Sequence, residues 1–153
     1  MKTWKLLIAL LAVSSLLTAG EDKVEVSEDN CLKLLSGSPR EKIAALIFIA
    51  ENEYDEKEIK KKLEKMLNEQ SENDEVLIKT MLAAGKIQHK KCTETIQNIY
   101  QNSDKTAIRF ACVLSLLDMQ DISSLKFVRE ANDNETDPHT KQVLQKIVDA
   151  LNE

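Results

Sequence analysis

Side chains that could do chemistry are few in this chain and scattered. It holds two histidines, His89 and His139, and three cysteines, Cys31, Cys92 and Cys112. His89 and Cys92 stand at i and i+3, which would set two metal ligands on one helical turn. A structural zinc site wants four ligands at recognisable spacing, and the sequence offers no second pair. No metal and no cofactor is expected. A cysteine nucleophile needs a histidine within hydrogen-bond reach and a third group to orient it. Cys92 with His89 is the one such pair close in sequence, yet Cys92 opens an apolar stripe with Ile96, Ile99 and Tyr100. A thiol there packs as a small hydrophobe. Both histidines read as solvated surface groups. Gly37 and Gly85 are isolated, read as turn residues, and cannot form a Gly-rich phosphate loop. Carboxylates are dispersed along helix faces, so no acid–base pair can be picked out. The chain is expected not to be an enzyme.

The elements that must carry these residues are helical. Three Gly, two Pro and 4% aromatic residues are too few for a many-stranded β-sandwich or barrel. The 42% of hydrophobic residues fall in regular stripes, which excludes a disordered chain. At 153 residues one domain is the natural count.

The first twenty residues read as an address. Lys2 and Lys5 precede an apolar run from Leu6 to Leu17 that only Ser14 and Ser15 interrupt, and Thr18-Ala19-Gly20 are small. That is the three-part pattern of a secretory signal peptide, and the run falls short of the roughly 20 residues that a membrane span requires. Residues 1–20 are therefore expected to be removed, leaving no stable membrane span. Cleavage after Gly20 would leave 133 residues with a formal charge of −7, where the whole chain carries −5. Such a domain repels phosphate backbones, so nucleic acid and anionic membrane surfaces are poor partners. An odd number of cysteines in an exported chain leaves at least one unpaired or paired between chains. A Cys92–Cys112 disulfide is conceivable between neighbouring helices and would close a loop of about 20 residues worth about 3 kcal/mol. Buried free thiols are the other reading.

Residues 21–28 form an acidic tether, and from 29 to 153 the pattern is helical throughout. Ser38-Pro39-Arg40-Glu41 is a capping box with proline at the first helical position. It opens a segment apolar nearly all round. Asp55-Glu56-Lys57-Glu58 resembles a second box, with Asp55 as cap, before a Lys- and Glu-rich helix whose stripe is Ile59, Leu63, Met66 and Leu67. Apolar and half-polar helices then alternate. Asn73 opens a segment that Gly85 is expected to stop, and Cys92 begins the next. Asp104, Asp121 and Asp137 open the last three. The apolar helices start at Ser38, Asn73, Asp104 and Asp137, which are 35, 31 and 33 residues apart. A period near 33, with one apolar and one half-apolar helix per unit, is the signature of a two-helix solenoid.

These residues resemble the HEAT-repeat family in its short bacterial form. Asp137-Pro138-His139-Thr140-Lys141 matches the opening of that motif best. Ser38-Pro39 followed by Lys42, Ala44, Ala45 and Leu46 matches well, and Ile108-Arg109 with Ala111 and Leu114 carries its middle. The second unit departs, with Leu77 in place of the basic residue and no proline. The resemblance covers residues 36 to 152 and its motifs are degenerate; an irregular helical bundle with similar caps is the competing architecture. It implies an all-α fold, a short right-handed superhelix of about three and a half stacked antiparallel helix pairs.

The function expected of such a chain is that of a protein-binding adaptor or scaffold module, exported to a periplasm or beyond, with a bacterial source suggested by the composition. The concave face of such a stack is built mainly from second helices and suits a protein or peptide. On it would stand Lys57, Lys61 and Lys65 from the first unit, Gln97 and Gln101 from the second, and Lys126 and Arg129 from the third. Asn134-Glu135-Thr136 also fits the glycosylation acceptor pattern. The alternative function is a helical carrier of a small hydrophobic ligand, although small residues such as Ala83, Ala84 and Ala111 favour close helix packing over a pocket.

Overall fold

A computed structural model describes residues 23–70 and 73–152. The expected signal peptide, residues 1–20, lies outside the described residues. The fold is all-α: among the described residues there are eight α-helices and a single 3-10 turn. They are α1 (Glu28–Leu34), α2 (Pro39–Asn52), α3 (Lys57–Glu69), α4 (Asp74–Lys86), the turn Lys90–Cys92, α5 (Thr93–Asn102), α6 (Thr106–Met119), α7 (Ile122–Asn134) and α8 (Pro138–Leu151). The acidic tether gives way to helix at its last residue, Glu28. No helix among the described residues is long and apolar enough to cross a membrane.

Local caps decide most starts. At α2 the Ser38 N–H donates to Glu41 Oε2 at 2.7 Å while the Glu41 N–H returns to Ser38 Oγ, closing the box. Asn73 accepts from the Val76 N–H at 3.1 Å, Asp121 from Ser124 at 2.9 Å and Asp137 from Thr140 at 2.7 Å. Two expected caps fail. Asp55 turns to Lys60 Nζ at 2.7 Å, and Glu56 takes the cap position of α3 without a side-chain bond. Asp104 is replaced at the cap of α6 by Lys105, whose ammonium reaches Asp74 at 2.8 Å and ties the starts of α6 and α4 together.

The apolar helices stack on one another. α4 lies between α2 and α6, with α3 against α4 and α5 against α6, while α7 packs on α6 and α8 chiefly on α7. Leu46 and Ile49 of α2, Met81, Ala83 and Ala84 of α4, and Cys112 and Leu116 of α6 are fully buried. The half-polar helices add one stripe each: Ile59, Leu63 and Leu67 from α3, Ile96 and Ile99 from α5, and Val128 from α7. Each fully buried Leu or Ile contributes about 1.5–3 kcal/mol. On α8 the inward set is smaller than its periodicity suggests. Leu144 alone of its large apolar residues is fully buried, Ile147 and Leu151 pack against the core, and Val143 and Val148 stay half-exposed.

Gly85 does not stop α4. The helix runs on to Lys86, and Gly85 is buried against α6, where a Cβ would stand 2.7 Å from the carbonyl oxygen of Ser115. The stop comes just beyond it, after Lys86, in a Schellman arrangement with Gln88 at φ 51°. The Gln88 N–H donates to Gly85 O and the His89 N–H to Ala84 O, both at 2.9 Å. Glu53 and Gln120, at φ 49° and 53°, close α2 and α6 in the same left-handed region. A non-glycine residue there crowds its Cβ against its own backbone. Glu53→Gly and Gln120→Gly should therefore each stabilise the fold by about 1 kcal/mol, read as a raised urea midpoint; a lowered midpoint in both would contradict it.

Candidate functional site

The residues expected on a partner-binding strip occupy α3, α5 and α7, and most of their charge is already spent locally. Lys61 pairs with Glu58 at 2.9 Å, Lys65 with Glu69 at 3.6 Å and Lys126 with Glu130 at 3.6 Å. Arg129 donates to Asn152 at 3.3 Å. Gln97 is half-buried and Gln101 exposed on α5. These pairs are exposed, so each is worth little and opens readily to a competitor. Lys57, the first residue of α3, makes no ion pair with any described residue.

Lys57 and Lys61 belong to a groove that the structure brings together from two segments. Asp55, Lys57, Lys60, Lys61 and Glu64 line one side, and Gln88, His89, Lys90 and Lys91 of the turn after α4 line the other. The groove is open to solvent and measures about 550 Å³. Five lysines face two carboxylates there. A second open groove, about 410 Å³, lies along Lys23–Ser27 and Asn30.

His89 holds this groove together. It is 7% exposed rather than solvated, and its Nε2 lies 2.6 Å from Glu64 Oε1 on α3. The left-handed step at Gln88 swings the chain back beneath α3 and makes that contact possible. His139, by contrast, is exposed on the first turn of α8, as expected. Near His89, Cys92 is buried, and burial first, then the charge of Glu64, pushes its pKa up to about 12. The thiol stays protonated and is a poor nucleophile. Among the described residues no three metal-ligating side chains converge. Cys92 and Cys112 are both free, as is Cys31. Cys112 lies with its Sγ 3.3 Å from Met81 Sδ, and burial raises it to about 12 as well.

One buried polar cluster has no counterpart in the motifs of the sequence. The Glu135 side chain, 0% exposed, accepts from Arg109 on α6 and from the Tyr100 hydroxyl on α5 at 3.2 Å. Its other oxygen takes the N–H groups of Thr136 and Asp137 at 2.8 and 2.9 Å. The Arg109 guanidinium sits over the Tyr100 ring, 5.0 Å from its centroid, and Phe127 of α7 meets the same ring edge-on. Burial pushes the Glu135 carboxyl up, but the Asp137 N–H, Arg109 and the Tyr100 hydroxyl together outweigh it and hold the carboxyl below its ordinary range. All of its acceptor capacity is engaged, so the cluster pins α5, α6 and the α7–α8 link rather than offering a site.

The basic groove is half visible in the sequence. The run Lys60-Lys61-Lys62 and the pair Lys90-Lys91 are plain there, but nothing local says that a turn 30 residues later returns to α3. Compared with protein-family models, curated proteins and solved structures, the chain matches none.

Proposed function

We propose that the protein is an exported, non-catalytic adaptor of HEAT-like helix pairs that binds a protein or peptide partner along its half-polar helices. The observation that carries this reading is the division of labour between helices. α2, α4 and α6 stack, and α4 and α6 are consumed by the core, while α2, α3 and α5 bury three residues each and α3 and α5 turn charged or amide faces outward. The row α2–α4–α6 with α3 laid on α4 and α5 on α6 supports stacked helices; their finer arrangement, a short right-handed superhelix of about three and a half antiparallel pairs, is part of the proposal.

Further support comes from the chemistry left over. The thiols, the chain's strongest potential nucleophiles, are buried and held protonated. The two grooves are open and rimmed by charge, which suits a polypeptide better than the enclosed apolar cavity of a lipid carrier. Residues 1–20 would direct the chain to the periplasm or outside the cell.

Cross-linking in the native cell, followed by purification of the tagged mature chain and mass spectrometry, tests the reading. A reproducible protein partner should be recovered, and Lys61→Glu, Lys65→Glu and Arg129→Glu together should cut its yield at least fivefold. Unchanged capture would overturn this placement of the surface, and recovery of a small hydrophobe in place of a protein would overturn the adaptor itself.

A further inference from the structure

We infer that the groove between the first half of α3 and the Gln88–Lys91 turn is the seat of an acidic segment of the partner polypeptide. The inference rests on the adaptor reading and narrows it, from a strip spread over three helices to one concentrated site.

Charge is the first reason. The lining carries five lysines against Asp55 and Glu64, an excess of three positive charges counted over lysines and carboxylates, in a chain whose formal charge is −5. Both carboxylates are already engaged, Asp55 with Lys60 at 2.7 Å and Glu64 with His89 at 2.6 Å. Lys57, Lys90 and Lys91 are exposed and form no ion pair with any described residue, although Lys90 lies close enough to Asp121 to help lower its pKa. Three ammonium groups outside any ion pair, on two facing segments, are an unusual concentration for an acidic protein.

Rigidity is the second reason. Lys90 and Lys91 come directly after a residue that is fixed from two sides, because the His89 N–H bonds Ala84 O and its ring meets Glu64. The opposing lysines ride on a regular helix anchored by Ile59, Leu63 and Leu67. The groove is thus held open before anything binds, which spares the ligand most of the ordering cost. At its mouth α3 begins without a side-chain cap, so the positive end of the helix dipole adds to the lysines.

The lining also selects the chemistry of its occupant. Ammonium groups on flexible stems pair with carboxylates as point charges, and the groove lining contains no arginine fork for bidentate phosphate recognition. A long polyanion would run beyond the groove onto the acidic remainder of the surface, whereas a short run of Asp and Glu would not. Gln88, exposed at the apex of the turn, is placed to hydrogen-bond the backbone of such a segment.

The test is fluorescence anisotropy of the purified protein with a labelled octapeptide of alternating Glu and Asp, beside its Gln/Asn counterpart and a phosphate oligomer of equal charge. At low salt the acidic peptide should bind saturably and the amide peptide should not. Lys57→Gln, Lys90→Gln and Lys91→Gln together should weaken binding at least tenfold. Lys33→Gln, Lys141→Gln and Lys146→Gln, which remove the same charge from α1 and α8, should change it less than twofold. Equal weakening by both triples, absence of binding, or preference for the phosphate oligomer would each overturn the inference. The same groove triple is then carried into the cross-linking experiment. A partner still captured by the triple would overturn the groove and leave the adaptor standing; no partner for the unmodified chain would overturn the adaptor.

Discussion

Arg109→Leu should cost the protein about 3 kcal/mol of stability, because it strands a carboxylate that water cannot reach. Glu135 is fully enclosed, and Arg109 is the only cation bonded to it among the described residues. Leucine would fill much of the space beside Tyr100 yet leave the charge uncompensated. Glu135→Gln is the informative partner. It removes the charge while keeping an acceptor for the N–H groups of Thr136 and Asp137, and Arg109, 21% exposed, can still find water. Its loss should be smaller, about 1–2 kcal/mol. The pH dependence separates the two effects. The folded-state pKa of Glu135 lies below the ordinary 4.5, so its contribution is fully present above that value and disappears as pH falls through the lowered one. The unmodified chain should therefore lose stability on acidification more steeply than Glu135→Gln. Urea titrations between pH 3 and 7 would show it, and parallel acid limbs would refute the role given to this carboxylate.

The second large effect is one of sign. Alanine for glycine within a helix ordinarily stabilises by about 1 kcal/mol, since glycine surrenders more backbone freedom. Gly85→Ala should instead destabilise by about 2 kcal/mol. The added methyl would meet the carbonyl oxygen of Ser115 at 2.7 Å and its Cα at 2.8 Å, and neither can rotate away as a side chain could. Ser115 is held in turn by its own hydroxyl, which donates to Met81 O at 2.5 Å. α4 and α6, the two most intimately joined helices, would have to separate. Thermal unfolding of Gly85→Ala and of Gly85→Ser should both shift downward; an upward shift with alanine would mean that the two backbones are not so close.

These two residues also mark the boundary of what local sequence can convey. Caps at Ser38, Asn73, Asp121 and Asp137 are legible because donor and acceptor lie three residues apart. Asp55 and Asp104 mislead: Lys60 takes the Asp55 carboxylate, and α6 starts one residue later than expected, with Lys105 at the cap position and no side-chain cap bond. Gly85 looks like punctuation, since nothing local distinguishes a turn glycine from one that makes room for a helix arriving 30 residues later. Asn134-Glu135-Thr136 draws attention to its asparagine, whereas the glutamate between is the buried centre of a cluster. His89 reads as a surface group because its partner Glu64 lies 25 residues away. Periodicity reveals which face of a helix turns inward, but not which neighbour it meets. The helical class and the stripes are therefore readable, and the groove and the buried carboxylate are not.

The sulfur atoms have a bearing on how the chain can be handled by the cell. Cys31, Cys92 and Cys112 are spread over α1, the start of α5 and α6, each sealed in the core and each with its pKa raised to about 11 or 12. Such thiols neither need an oxidant to complete the fold nor yield quickly to one afterwards. The folded domain would keep the same stability in a reducing compartment as in an oxidising one, and its maturation would call on no disulfide-forming machinery.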